Sequence, residues 1–152
     1  FAIVNSVLEL PLADTSEHDP LASLPGYLLR RAANAMMAEL HSRLSELDLR
    51  ISDASVLMLV ADRSDMTSSE LGKMLDIQRA NMVPLLNRLE AAGHITRLPI
   101  DRKSQAIVLT DQGTAQLAKV RSLTEAFEDD LMQRIPAKHR THFVPALKAL
   151  LD

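Results

Sequence analysis

Residues 66–110, MTSSELGKMLDIQRANMVPLLNRLEAAGHITRLPIDRKSQAIVLT, constrain the fold more than any other stretch of the chain. Thr67 and Glu70 have the spacing of a capping box, in which hydroxyl and carboxylate each serve the other's backbone N–H. Met66 and Leu71 flank that box where a hydrophobic staple closes. Gly72 sits inside the helix so started, at a cost of about 1 kcal/mol relative to Ala. That cost predicts close approach of the next helix at this point. Leu75-Asp76-Ile77 reads as a turn. A second helix is expected from Gln78 to Ala92, stopped by Gly93. Val83, Leu86, Leu89 and Met82 are assigned to its inner side. Pro84 removes one backbone bond, so the helix is expected to bend, or to become regular only beyond it. Two short strands, His94–Leu98 and Gln105–Leu109, then flank Pro99–Ser104. Helix, turn, helix and hairpin in this order make a winged helix-turn-helix, and the chemistry such a module serves is DNA readout.

Charge distribution agrees better than total charge. The 152 residues carry 17 basic and 20 acidic side chains, a net −3 that does not announce a nucleic-acid partner. Within 77–104, however, five cations (Arg79, Arg88, Arg97, Arg102, Lys103) face only Glu90 and Asp101. Within 111–133, five acids face Lys119 and Arg121. The basic charge is therefore concentrated on the module. Aromatic residues make up 3% of a chain that is 47% hydrophobic, and only 4 glycines are present. An aliphatic, glycine-poor composition suits packed helices and excludes a turn-rich sandwich. The expected class is mainly α with a small β-hairpin wing. The absence of cysteine excludes disulfides and thiolate metal sites and fits a reducing cytoplasm, the expected location. No apolar run reaches about 18 residues, so no membrane span is expected.

The remaining segments frame the module. Residues 1–25 contain Pro11, Pro20 and Pro25 and are expected to form an extended arm without the basic start of a signal peptide. Its Val7, Leu8, Leu10 and Leu12 are apolar enough to dock on the body or on a second subunit. Leu29, Ala33, Met36, Leu40, Leu44 and Leu47 recur at helical spacing and predict a helix over 26–49. Ser52 is assigned as the N-cap of a second helix ending near Asp62. Thr110 is expected to cap a long helix lined on one side by Val120, Leu123, Phe127 and Leu131. Pro136 is placed at the first position of a last helix, which Pro145 is expected to kink or split.

Named roles follow from the module. A recognition helix reads base edges with its first turns, here Gln78, Arg79, Ala80 and Asn81. Gln and Asn pair with adenine, Arg with guanine, and Ala meets a thymine methyl. Thr67, Ser68 and Ser69 offer hydroxyls and N–H groups to a phosphate. Asn87 and Arg88 are assigned to phosphates further along the helix. Arg102, Lys103 and Ser104 form a wing tip suited to a narrow minor groove. Asp101 is expected to pair with a basic neighbour and shape that tip. The alternative for Arg88 and Arg97 is a solvated position or a pair with Glu90.

Taken together, GYLLRRAANAM, SSELGKMLDI, QRANMVPLLNRLEAAGHI and IDRKSQAIVLTDQG resemble the MarR family of bacterial transcriptional regulators over residues 26–150. The resemblance implies a single domain over 26–152. Residues 26–50 and 111–152 would supply dimerisation helices, and 51–110 the winged module. It implies a homodimer on a pseudo-palindromic DNA operator, usually a repressor released by a small ligand. The family's wing motif is Asp-x-Arg, whereas here Lys103 holds the last position with Arg102 between. Ligands in the family are often aromatic carboxylates, phenols or their thioesters, bound between the dimerisation helices and the winged module. Arg30, Asn34, Met37 and His41 share one stripe of the first helix, with Ser55 and Met58 assigned to face them. A carboxylate held by Arg30 or His41 fits that stripe, while a surface or interhelix role for both fits equally.

Two other classes were weighed. Of five histidines only His139 and His142 share a helix face, without a cysteine or acid pair to complete a metal site. No nucleophile-base arrangement, phosphate loop or cofactor motif stands out, so catalysis is not expected. A helical protein-interaction module without DNA binding is the second alternative, allowed by the net charge and opposed by the basic wing.

Overall fold

A computed structural model describes residues 19–151; residues 1–18 of the expected arm lie outside the described part. The elements run α1 (Pro25–Ser45), α2 (Ile51–Ala61), α3 (Ser68–Met74), α4 (Arg79–Ala91), β1 (Ile95–Pro99), β2 (Gln105–Leu109), α5 (Asp111–Arg134) and α6 (Ala137–Lys148). Two compact units divide the chain within α1, one ending at Met36 and one starting at Met37.

In the first unit, Pro25 opens α1, where a missing N–H costs nothing. The Asp19 carboxylate accepts from the Leu21 N–H at 2.9 Å and from the Tyr27 hydroxyl at 3.3 Å. Arg30 and Arg31 lie 5.5 and 5.8 Å from the centre of the Tyr27 ring. Leu21, Leu24, Leu28 and Leu29 are exposed.

The second unit holds the core. Helix α1 stops at Ser45, short of the expected 49. Asp48 takes a left-handed φ of 56°, and the Leu49 N–H turns back to the Leu44 carbonyl at 3.2 Å. The expected cap of α2 is corrected: Arg50, not Ser52, is the N-cap. The reason is Asp53, whose Oδ2 accepts from the Arg50 N–H at 2.8 Å and so closes the helix start. Asp53 is 1% exposed. A carboxylate removed from water needs partners for both oxygens. Arg88 of α4 supplies the other, donating from Nη2 to Oδ1. The sequence reading gave Arg88 to a phosphate; this ion pair instead ties α4 to α2.

Gly72 performs the predicted close approach. A Cβ there would stand 2.9 Å from the Ile77 carbonyl oxygen and 3.3 Å from Met82 Cγ. Asp76, at φ 52°, carries the chain through the turn, and the Ile77 N–H bonds to the Gly72 carbonyl at 2.8 Å. Helix α4 is regular from Arg79, ahead of Pro84, so the expectation of order only beyond Pro84 is overturned. Ala80 and Pro84 are both exposed, and the carbonyl that loses its bond meets water. Met82, Leu85, Leu86 and Leu89 are buried at i, i+3, i+4 and i+7. Leu85, which the sequence reading left out, completes that stripe. Val83 falls about 100° round the helix from Met82. It is 52% exposed, which corrects its assignment to the inner side.

Strands β1 and β2 pair antiparallel from Ile95–Leu109 to Pro99–Gln105, β1 beginning one residue later than expected. The His94 carbonyl is engaged elsewhere, accepting from the Thr110 N–H at 3.1 Å. The hairpin joins the helices through backbone: the Ile107 N–H donates to the Met66 carbonyl at 2.8 Å, and Thr67 bridges to Ala106. Thr110 caps α5 as expected, its Oγ1 accepting from the Gly113 N–H at 2.9 Å. Helix α5 packs on α2, burying Leu117, Val120 and Phe127. Arg43 of α1 lies over the Phe127 ring and pairs with Asp130 at 2.7 Å and with Glu39, which also holds Arg134 at 2.8 Å. The Arg134 and Arg43 hydrogen bonds keep the Glu39 carboxyl below its ordinary pKa. Pro136 is the N-cap of α6 rather than its first residue, and Pro145 neither splits nor ends the helix. Thr141 and Pro145 are exposed, so water again takes the freed carbonyl.

Two substitutions probe these constraints by urea unfolding. Gly113→Ala places a Cβ 1.8 Å from the His94 carbonyl oxygen, backbone that has no room to yield. A loss of about 3 kcal/mol is expected, at the upper end for overpacking. Arg88→Ala leaves the Asp53 charge buried and unpaired, and a loss of about 2–3 kcal/mol is expected. Wild-type stability in either variant contradicts the packing described.

Candidate nucleic-acid interface

The starts of α3 and α4 and the hairpin enclose a concave face of about 1000 Å³. Eight of the eleven residues assigned to DNA from sequence line it: Thr67, Ser68 and Ser69 from α3, Gln78 and Arg79 from α4, and Arg102, Lys103 and Ser104 from the wing. Asn81 and Arg88 instead line a smaller cleft of about 400 Å³ on the opposite flank of α4, with Arg50 and Ser52 from the start of α2.

Local chemistry sets what each side chain has left to offer. The Thr67 hydroxyl is spent on its cap: it accepts from the Glu70 N–H at 3.3 Å and donates to Glu70 Oε2 at 2.9 Å. The same carboxylate takes the Thr67 N–H at 2.9 Å, and these bonds hold the Glu70 pKa below the ordinary range. Thr67 is thus a structural cap, and the exposed residue beside it is Ser69. Asn87 is likewise engaged, its Oδ1 accepting from Arg97 Nη2 at 2.7 Å. Arg97 Nε stands 3.2 Å from Glu90 Oε2, the pairing considered from sequence. Gln78, Arg79, Ala80 and Asn81 are all exposed at the start of α4.

At the wing tip, Asp101 pairs with backbone rather than with a basic side chain, correcting the sequence reading. Its Oδ1 accepts from the Lys103 and Ser104 N–H groups at 2.7 and 2.8 Å. Those two bonds stabilise the ionised carboxylate and lower its pKa. The tip is thereby fixed while the Arg102 and Lys103 side chains stay exposed. Sequence reasoning missed Asp53, Val83 and Arg50. The Arg50-x-x-Asp53 spacing was a usable capping signal, and including Leu85 in the buried stripe would have turned Val83 outward.

The residues assigned to an effector are placed as follows. Arg30 and Asn34 are exposed on the first unit's part of α1, and Met37 and His41 on the second unit's part. Ser55 donates to the Ile51 carbonyl at 2.9 Å, and Met58 is half-buried against the core. His139 and His142 are exposed on α6, and among the described residues no group of three or more His, Asp or Glu is placed to hold a metal. No helix among them is long and apolar enough to cross a membrane.

Comparison with known proteins bears on the same segments. The family model described as the MarR family matches residues 47–104. The transcriptional regulator TtmR of Methylorubrum extorquens is 29% identical over 113 residues, 72% of this chain. The chain spans 58% of that curated relative's length. The repressor CouR, solved on a 23-mer DNA duplex, is 29% identical with a TM-score of 0.78, covering 95% of this chain and 99% of that one. The Mycobacterium tuberculosis protein Rv2887, solved with salicylic acid, is 25% identical with a TM-score of 0.67, covering 89% and 98%. With the capped α3, the close turn at Gly72 and the Asp101 wing already in place, the chain has the winged-helix fold of these solved structures, and its residues 47–104 are similar to the MarR family.

Proposed function

We propose that the chain is a DNA-binding transcriptional regulator that acts as a homodimer on a pseudo-palindromic operator, as a repressor released by a small aromatic acid, phenol or thioester. The observation that carries the DNA reading is the concave face, where the start of the recognition helix and the wing tip bring Arg79, Arg102 and Lys103 around one opening. CouR, of similar fold, is solved on duplex DNA. A dimer is supported by α6, which buries no residue in the single chain, and by exposed Leu28, Leu29 and Met37 on α1. Two recognition helices about 34 Å apart would enter successive major grooves. Regulation of transcription would keep the protein in the cytoplasm, with the chromosome. Rv2887, solved with salicylic acid, supports an aromatic carboxylate effector. The assigned contacts are His41, Met37, Ser55 and Met58 in the larger unit, with Arg30 and Asn34 as candidates in the smaller.

Fluorescence anisotropy on the DNA upstream of the chain's own gene, at two salt concentrations, tests the reading. Tight binding that falls steeply with salt is expected. Arg102→Ala and Lys103→Ala should each reduce the slope of log affinity against log salt by about 1 if both meet phosphates. Salt-independent binding or none would favour the protein-interaction reading.

Titration with salicylate tests the effector. Ligand and DNA must weaken each other by the same factor, because coupling between sites is reciprocal. Salicylate affinity unchanged by saturating DNA would end the induction model. Affinity unchanged in both Arg30→Ala and His41→Ala would remove those residues from the site.

A further inference from the structure

The outward side of α4 is apolar where a reader of base edges is expected to be polar. The buried stripe Met82, Leu85, Leu86 and Leu89 fixes which side faces inward. About half a turn away stand Ala80, Pro84 and Asn87, and Val83 lies between them and Arg79, about 100° from Met82, all exposed. Asn87 has its carbonyl oxygen committed to Arg97. Pro84 has no N–H to give, and Ala80 and Val83 have no polar side-chain atom. Val83 is the largest of them, is 52% exposed, and lines the same concavity as Arg79 and Arg102. An exposed branched aliphatic residue among these cations contributes nothing to the core and nothing to phosphate binding.

We propose that Val83, with Ala80 one turn before it, reads the C5-methyl group of thymine in the major groove, and so determines part of the operator sequence. The inference rests on the DNA-binding reading above. The C5-methyl is the one apolar feature that base edges present in the major groove. The charge around the ridge suits DNA: Arg79, Arg102 and Lys103 line the same opening as Val83, so phosphates drawn to that opening would bring this side chain toward the bases. Discrimination then comes from apolar burial at the middle of the helix. Hydrogen bonding is left to Gln78, Arg79 and Asn81 at its start.

The test uses the full chain and duplexes it selects from a randomised DNA pool. Each thymine of a selected duplex is replaced in turn by deoxyuridine, which removes only the methyl group. At one or two positions per half-site, wild-type protein should lose about fourfold in affinity, the effect of un-burying one methyl-sized group. Val83→Ala should bind the thymine duplex more weakly and show less than about twofold discrimination at those positions. Val83→Ile, which keeps the branched aliphatic surface, should retain the discrimination. Val83 is exposed, and circular dichroism of each variant checks that the fold is intact. Selective, salt-sensitive binding that tolerates deoxyuridine everywhere, or a thymine preference that survives Val83→Ala, overturns this inference and leaves the DNA-binding reading standing. Failure to select or bind any duplex overturns both.

Discussion

The buried carboxylate of Asp53 is the constraint on which the arrangement of the reading helix depends. Removing such a charge from water costs several kcal/mol unless its oxygens are paired. Both partners come from positions that matter. The Arg50 N–H is the first backbone donor of α2, and Arg88 Nη2 reaches across from α4. The cap of one helix and the seating of the other are therefore one interaction. Arg88 holds one flank of α4, while Glu90 and Asn87 meet Arg97 of β1 on the other. With its inner stripe in the core and both flanks tied, α4 is left a single free side. A helix that must align with base edges gains from this, because geometry fixed before binding costs less entropy at the moment of binding.

The hairpin is fixed by a different means, in which backbone does the joining and side chains stay available. Met66 and Thr67 act as a short extra edge for β2. The Thr110 hydroxyl donates to the Gly93 carbonyl at 2.6 Å while its oxygen caps α5, so one residue joins the end of α4, the end of the hairpin and the start of the next helix. Gly113 lets the first turn of α5 lie against the His94 carbonyl, which a Cβ would obstruct. At the tip, Asp101 spends its charge on two N–H groups of its own turn. That carboxylate lies beside Arg102 and Lys103 yet takes neither side chain out of service.

The legible parts were those written in local chemistry. The Thr67–Glu70 box, the Thr110 cap, the Gly72 approach and the hairpin all follow from residues within a few positions of one another. What escaped was decided by partners distant in sequence. Arg88 looked like a phosphate ligand because Asp53, thirty-five residues away, is invisible to a local reading. The Asn87 carbonyl oxygen is tied for the same kind of reason, its partner Arg97 lying on a strand. Ser52 was a better cap by residue type than Arg50, but Asp53 at the third helical position outweighed it. Val83 was turned inward because it is apolar, although the period of the helix already had four better occupants of the core side. Both prolines were expected to damage their helices. Each lies inside a continuous helix, and the residue four positions before it is exposed, a fact of exposure and not of sequence.

The acidic total charge is compatible with this design because much of the acid is neutralised where it stands. Glu39 and Asp130 are held by Arg134 and Arg43 between α1 and α5, and Asp53 and Glu90 are held by Arg88 and Arg97. Glu70 and Asp101 are turned toward backbone N–H groups. Asp53, Glu70, Glu90 and Asp101 are thus engaged by the chain itself, and Arg88 and Arg97 are engaged with two of them. The field at the concave face is left to the few cations that remain exposed there, Lys73, Arg79, Arg102 and Lys103. So small a set supplies only a modest sequence-independent attraction. On the proposed DNA-binding reading, a site chosen from among many competitors would be chosen by what the free side of α4 meets, and the composition of that side would then carry much of the specificity.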